Sequence, residues 1–193
     1  MSNKSIPRIS KVIISSEEIS NRVSEIAKLI DSDYYGANDL LILGILRGAF
    51  IFLADLTRNL HIPHVVDFMA LTSYVKNKST GEVRILMDSR EPIKDRNVLI
   101  VEDILDSGDT LNLLYRTIQE RKPASLHTCV LVRKIRKIEN LEVPINYVGF
   151  DIPDVWVVGY GLDYDNYYRT LPYIAELDKD SLDVNTNIEG RAK

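Results

Sequence analysis

The sequence predicts an α/β protein built on a parallel twisted sheet flanked by helices. Three observations predict it. Short apolar runs rich in β-branched residues recur along the chain, at 40–46, 65–74, 98–101 and 126–132. Segments with apolar residues at helical spacing alternate with them, the pattern of strands joined by right-handed crossovers. Two of the runs end in a glycine turn that leads straight into a helix start, and in such sheets ligands collect at the carboxyl ends of the strands.

Taken in order, Ser15-Ser16-Glu17-Glu18 supplies hydroxyls for a helix cap and acids for a first turn, and Ile19, Val23, Ile26 and Ile30 follow at helical spacing. The run 40–46 reads as a buried strand ending in Arg47-Gly48. A helix is predicted from about 49 to 60, with Phe50, Leu53, Leu56 and Leu60 on its buried face. A long strand is predicted over 65–74 and another over 83–87. Between them 75–82 is polar, lysine-bearing and broken by glycine, which suits either a mobile loop or a bland connector. After the strand 98–101 come Glu102, Asp103 and Asp106, then the polar turn Ser107-Gly108-Asp109-Thr110. A helix is predicted over 111–121, apolar at Leu111, Leu114 and Ile118. Beyond the strand 126–132 lies Arg133-Lys134-Ile135-Arg136-Lys137, either a solvated rim or a ligand contact. Short strands are predicted at 147–150 and 155–159, followed by an aromatic and acidic segment to Tyr168. The acidic stretch from Asp178 lacks periodicity and reads as a loose tail; its Ile188-Glu189-Gly190-Arg191 resembles a protease recognition sequence or is a coincidence.

Composition bounds the function. A length of 193 residues suits one domain, and 45% hydrophobic with 27% charged residues is ordinary for a soluble protein. A net charge of −4 argues against a nucleic-acid partner. No apolar run approaches the roughly 18 residues of a membrane span, and the polar start lacks a signal-peptide core. The single cysteine, Cys129, falls in an apolar strand and reads as a buried thiol. A cytoplasmic protein with no membrane partner is expected.

The central stretch carries the chemistry. A strand, a glycine turn and a helix start aim backbone N–H groups and the positive end of the helix dipole at one point, a phosphate site. Neither Gly-Lys-Ser/Thr nor Gly-x-Gly-x-x-Gly occurs in the chain. Carboxylates repel phosphate unless hydroxyl donors or a cation need them. Glu102 and Asp103 suit vicinal sugar hydroxyls or Mg²⁺, and Asp106 suits a general base. Asp106 or Ser107 serves equally well as a helix N-cap, which leaves the Glu-Asp pair at the strand end unaccounted for. A sugar ring with several phosphates and Mg²⁺ is the ligand these residues describe.

The stretch 98–111 resembles the phosphoribosyl-pyrophosphate motif of the type I phosphoribosyltransferases. From about residue 9 to 177 the chain resembles their hypoxanthine(-guanine) branch. The resemblance rests on Leu46-Arg47-Gly48, Ser73-Tyr74 with Ser79-Thr80-Gly81, the central motif, Lys134, Gly149-Phe150-Asp151-Ile152-Pro153-Asp154, and Val157-Val158-Gly159-Tyr160-Gly161-Leu162-Asp163-Tyr164. It implies the family fold with a small hood subdomain: one domain over 1–180, its core about 35–150, its hood made from the N-terminal and 150–177 segments, and 181–193 a tail. It implies transfer of ribose 5-phosphate from phosphoribosyl pyrophosphate to a 6-oxopurine, with Mg²⁺, in a homodimer or homotetramer.

Residue by residue, the resemblance makes Asp106 the base that takes the purine proton. Ser107, Gly108, Asp109 and Thr110 would cradle the 5-phosphate, and Glu102 and Asp103 would bind the ribose hydroxyls and Mg²⁺. Leu46, Arg47 and Gly48 would meet pyrophosphate through backbone N–H groups, often across a cis peptide, and Arg169 would bind pyrophosphate too. Lys134 would donate to the purine 6-oxo group, a choice that follows from a side chain with donors only. Ile104, Trp156, Val157 and Asp163 complete the purine site, Trp156 by stacking and Val157 through its carbonyl; without the family, Trp156 reads equally as a core aromatic. Asp163 would also hold a second Mg²⁺. Ser73 and Tyr74, with the loop that follows, would close over the reacting carbon. Asp109 stands where many relatives carry a basic or neutral residue, and its charge weakens phosphate binding unless its N–H alone is used. Arg133 beside Lys134 leaves two candidates for the base-facing cation, with spacing from Asp106 favouring Lys134. The alternative to an enzyme is a catalytically silent regulatory module of the same fold that senses nucleotides.

Overall fold

The computed structural model describes residues 6–37, 39–74, 82–136 and 141–181. Ser79-Thr80-Gly81, Lys137 and Ile188-Glu189-Gly190-Arg191 lie outside the described residues, as do the side chains of Ser73 and Tyr74. The elements run β1 (Ile9–Ile14), α1 (Ser16–Asp33), β2 (Leu40–Leu46), α2 (Phe50–Asn59), β3 (His64–Tyr74), β4 (Glu82–Met87), β5 (Asn97–Leu105), α3 (Asp109–Gln119), β6 (Ser125–Lys134), β7 (Tyr147–Ile152), β8 (Val157–Val158) and β9 (Ile174–Leu177).

The main sheet has six strands in the order β4-β3-β2-β5-β6-β7, and every neighbouring pair but one is parallel. The exception is β4, antiparallel to β3, where the alternating pattern predicts a wholly parallel sheet. The reason is chain length: residues 75–81 are too few for a parallel crossover, which takes a dozen or more. Strand alternation sorts the core into two layers. Leu40, Ile42, Leu99 and Val101 face α1 and α2, whereas Leu41, Leu43, Val98 and Ile100 face α3.

α1 starts at the predicted cap. Ser15 Oγ accepts from Glu18 N at 3.2 Å and Glu18 Oε2 accepts from Ser15 N at 2.8 Å, a complete capping box. α2 departs from the predicted face. Its buried residues are Phe52, Leu53 and Leu56, while Phe50 is 39% exposed. The stripe that meets the sheet runs Ala49, Phe52, Leu53, Leu56, Leu60, so Phe52 takes the place expected of Phe50.

β5 and β6 both run further than the apolar runs predict. β5 continues through Glu102 and Asp103 to Leu105, and β6 through Arg133 to Lys134. Each is the other's partner there, with Ile104 opposite Val132 and Leu105 opposite Arg133. Pairing across the sheet overrides the low strand preference of the charged residues.

A second, antiparallel sheet in the order β1-β9-β8 joins the start of the chain to its end. The sequence shows neither β1 nor β9, and only Val157–Val158 of the predicted 155–159 strand is extended. Residues 178–181 are tied down, since Asp178 N donates to Arg8 O at 2.8 Å and Arg8 N to Ser181 Oγ at 3.1 Å. Among the described residues no helix is long and apolar enough to cross a membrane.

Candidate active site

The chain builds β3 on one side of β2 and then returns to build β5 on the other, so the strand order reverses between β2 and β5. A crevice forms at such a reversal, beyond the carboxyl ends of the strands. Leu46-Arg47-Gly48 leaves β2 there, and the Leu46–Arg47 peptide bond is cis. Arg47 is exposed, while Leu46 and Gly48 are half-buried. Gly48 faces β5 so closely that a Cβ on it would lie 1.6 Å from Asp103 Oδ2. From the other side Gly161, at φ +105°, closes on the turn; a Cβ there would lie 1.9 Å from Gly48 O.

On β5, Glu102 is 8% exposed and its Oε2 has no hydrogen-bond partner among the described residues. Asp103 is half-buried beside it, with Oδ1 accepting from Ile104 N at 2.9 Å. Burial pushes both carboxyls above the usual carboxylate range, and the neighbouring Asp103 raises Glu102 further. Two adjacent buried acids, one with an orphaned oxygen, are a donor set that suits a hard cation such as Mg²⁺. These acids, with Asp106, Ser107, Gly108 and Thr110, line a cavity of about 230 Å³.

The N-terminus of α3 forms the floor of that cavity. Its cap is Gly108, at φ 88°, and no side chain caps it, so neither Asp106 nor Ser107 is the N-cap. β5 runs so far that Asp106 and Ser107 fall in the turn before the cap position. Ser107 Oγ instead donates to Asp109 Oδ2 at 2.8 Å. The first helical N–H groups lack intrahelical partners, and here they face the cavity with the positive end of the helix.

Lys134, at the end of β6, and Arg136, two residues beyond it, reach the same side. Lys134 Nζ lies 3.4 Å from Asp106 Oδ2 and 3.1 Å from Asp154 Oδ1. The Arg136 guanidinium pairs with Asp106 Oδ1, and its Nη1 with Asp154 Oδ2 at 3.3 Å. Lys134 beside it holds the Asp154 carboxyl below the usual range. Arg133 points the other way, pairing with Asp151 at 2.7 and 3.0 Å, so of Arg133 and Lys134 it is Lys134 that faces Asp106. Trp156 is 60% exposed and is no core aromatic. Its ring meets Tyr164 edge-on, and Lys134 Nζ sits 6.0 Å from its centroid.

Arg169 Nη2 pairs with Asp163 Oδ1 at 2.7 Å, and Arg169 Nη1 donates to Gly161 O at 2.7 Å. Asp163 Oδ2 accepts from Asn166 N at 2.7 Å, so both its oxygens already have partners. Val157 is buried in β8 opposite Glu176, and Ile104 is half-buried against the core. The structure thus gathers three groups at one crevice: the Leu46–Gly48 turn with Glu102 and Asp103, the α3 N-terminus, and Asp106 with Lys134 and Trp156. Ser73 and Tyr74 belong to it by backbone position alone, paired with Val83 and Glu82 at the end of β3. Sequence reasoning missed Arg136 and Asp154 as members. Arg136 lies two residues past the end of β6, so strand alternation does not mark it.

The chain matches the family model of the phosphoribosyl transferase domain over residues 13–165. It is 45% identical over 174 residues to the hypoxanthine-guanine phosphoribosyltransferase of Dictyostelium discoideum, covering 88% of this chain and 96% of that one. It is 44% identical over 169 residues to the hypoxanthine phosphoribosyltransferase of Escherichia coli K12, covering 86% and 94%. Among solved structures, a hypoxanthine-guanine phosphoribosyltransferase of Bacillus anthracis superposes with a TM-score of 0.83 at 37% identity, over 89% of this chain and all of that one. The hypoxanthine phosphoribosyltransferase of Trypanosoma cruzi, solved with the product IMP, gives 0.80 at 42% identity, over 89% and 96%. With the crevice, the glycine turn at the start of α3 and these likenesses together, the chain belongs to the phosphoribosyltransferase family, in its hypoxanthine(-guanine) branch.

Proposed function

We propose that the protein is a purine salvage enzyme that transfers 5-phosphoribosyl from phosphoribosyl pyrophosphate to hypoxanthine and guanine, giving IMP or GMP and pyrophosphate. The observation that carries this reading is the meeting of Asp106 with Lys134 at the mouth of a crevice floored by the start of α3. One purine bound there would accept from Lys134 at its 6-oxo group and donate its ring N–H to Asp106. Adenine presents an amino donor to Lys134 instead and is disfavoured.

In the transfer, the bond from the ribose carbon to pyrophosphate breaks as the bond to a purine imidazole nitrogen forms. The proton on the other imidazole nitrogen passes to Asp106. Ser107, Gly108, Asp109 and Thr110 hold the 5-phosphate, and Arg47, Gly48 and Arg169 engage the pyrophosphate. Trp156 offers an open ring face to the base, with Ile104 and Val157 bounding its edge. Ser73 and Tyr74, with the loop after them, exclude water from the electron-poor ribose carbon. Glu102 and Asp103 would hold Mg²⁺ together with the ribose hydroxyls. Asp163 would hold a second ion through lone pairs left over from its Arg169 and Asn166 contacts. When bound, Mg²⁺ offsets the charge that builds on the departing pyrophosphate.

Residues 1–180 form one domain in this reading, with the second sheet as its hood. Exposed apolar side chains on β3 and β4 (Val65, Val66, Leu86 and Met87) support a homodimer or homotetramer, and the buried thiol of Cys129 a reducing, cytoplasmic setting. The test is pyrophosphate release with Mg²⁺ and phosphoribosyl pyrophosphate, comparing hypoxanthine, guanine, xanthine and adenine. Turnover with the 6-oxopurines and none with adenine is expected, and Asp106→Asn should lower it by roughly 10²–10⁴. Silence with all four bases would promote the regulatory module in place of the enzyme.

A further inference from the structure

Arg136 lies outside every role assigned so far, yet it makes three contacts on the side of β6 that faces Asp106. Its Nη2 donates to Asp106 Oδ1, its Nε to the main-chain oxygen of Asp106 at 3.3 Å, and its Nη1 to Asp154 Oδ2 at 3.3 Å. A turn aims it there, with Arg136 N donating to Lys134 O at 2.9 Å and Ile135 N to Ile152 O at 2.7 Å. The arginine therefore grips one aspartate at two points, carboxylate and backbone. A guanidinium fork makes both contacts from fixed positions in one plane, which a rotating ammonium does not.

We propose that Arg136 is a positioning residue of the transfer reaction, clamping Asp106 so that Oδ2 is the oxygen presented to the purine N–H. The inference rests on the reading of Asp106 as the base. Asp106 sits in a turn between β5 and α3, half-buried, where its carboxylate is otherwise free to change rotamer. Reaction requires that carboxylate within hydrogen-bond reach of the base, and small misplacements lower rates steeply. With Oδ1 held by Arg136, Oδ2 is the oxygen left to the base, and Lys134 Nζ lies 3.4 Å from it.

Purine binding is then an exchange of partners. The 6-oxo group takes Lys134, which leaves Asp106 Oδ2, and the ring N–H takes the vacated oxygen. Arg136 stays on Oδ1 throughout, so the carboxylate does not turn when its other partner changes. Asp154 accepts from both cations, at 3.1 Å from Lys134 and 3.3 Å from Arg136. Two anions and two cations therefore balance before the base arrives, and Lys134 keeps a partner as it moves.

The test is a double-mutant cycle in the intact enzyme, with kcat and KM measured for wild type, Arg136→Ala and Arg136→Lys, each with Asp106 and with Asp106→Asn. The expected result is a kcat about tenfold lower for Arg136→Ala with KM for phosphoribosyl pyrophosphate unchanged. Partial recovery is expected in Arg136→Lys, and no further loss when Arg136→Ala is placed on Asp106→Asn. Wild-type kcat in Arg136→Ala would overturn the proposal. So would the same tenfold loss on the Asp106→Asn background, because the arginine would then act elsewhere. Full recovery by lysine would overturn the two-point clamp in favour of charge alone. If Asp106→Asn itself turns over like wild type, the reading of Asp106 as base fails; if only Arg136→Ala does, that reading stands and the clamp alone falls.

Discussion

Gly48 shows how closely single residues set this site. A methyl group there would lie 1.6 Å from Asp103 Oδ2, so Gly48→Ala must displace either the turn proposed to meet pyrophosphate or the acid proposed to meet ribose. We expect kcat/KM for phosphoribosyl pyrophosphate to fall by roughly 10²-fold, the scale of a 1 Å misplacement. Wild-type kinetics in that variant would show that the contact does not serve the site. At this scale the sequence was most legible where a residue's chemistry admits few uses. The acids beside the glycine turn could be named from type and spacing, and Lys134 through the family resemblance. Arg136 could not, because a cluster of four basic side chains reads as a solvated rim until the turn at Ile135 is seen to fold one of them back over Asp106.

Among elements, α3 carries the end proposed to bind phosphate, and its opposite end is moored to the sheet. Just past β4 and α3, Arg121 makes a two-pronged pair with Asp88, Nη1 to Oδ1 at 2.9 Å and Nη2 to Oδ2 at 2.7 Å. The Arg121 guanidinium holds the Asp88 carboxyl below the usual range. A carboxyl lowered in the folded state adds stability above its unfolded value of about 4, and that stability is lost as pH falls through the folded value. Arg121→Gln should therefore lower Tm slightly at neutral pH, by the equivalent of under about 1 kcal/mol for so exposed a pair. The difference should close in acid, once pH has fallen through the folded value. Thermal melts of both proteins at neutral and acid pH check this, and a gap that persists in acid would assign the effect to packing. The start of α1 was readable because its cap is local: the Ser15–Glu18 box lies within four residues. Strand ends were not, because β5 and β6 extend only by pairing with each other.

For the whole molecule, the small sheet must sit in register with the large one for Gly161 to meet Gly48. One link is buried: Tyr160, 6% exposed, donates from its hydroxyl to Asp55 Oδ2 on α2 at 2.6 Å. Burial and that acid push the phenol up, so the hydroxyl stays a donor. Tyr160→Phe removes the link and leaves Asp55 with Arg58. We expect a loss of about 1 kcal/mol, or a Tm lower by roughly 2–4 °C. An unchanged Tm would mean that apolar packing alone holds the two sheets. By itself the sequence determined the alternation of strands and helices, the glycine turn before α3 and the identity of its acids, because periodicity and turn chemistry act within a few residues. Only the tertiary structure decided the small sheet, in which β1 and β9 come from opposite ends of the chain and neither can stand as a strand without the other. It also decided how far β5 and β6 run, that Phe52 rather than Phe50 fills the core, that Trp156 stands open, and that Arg136 reaches Asp106. Each of those depends on a partner distant in sequence, and no local pattern encodes where that partner will stand.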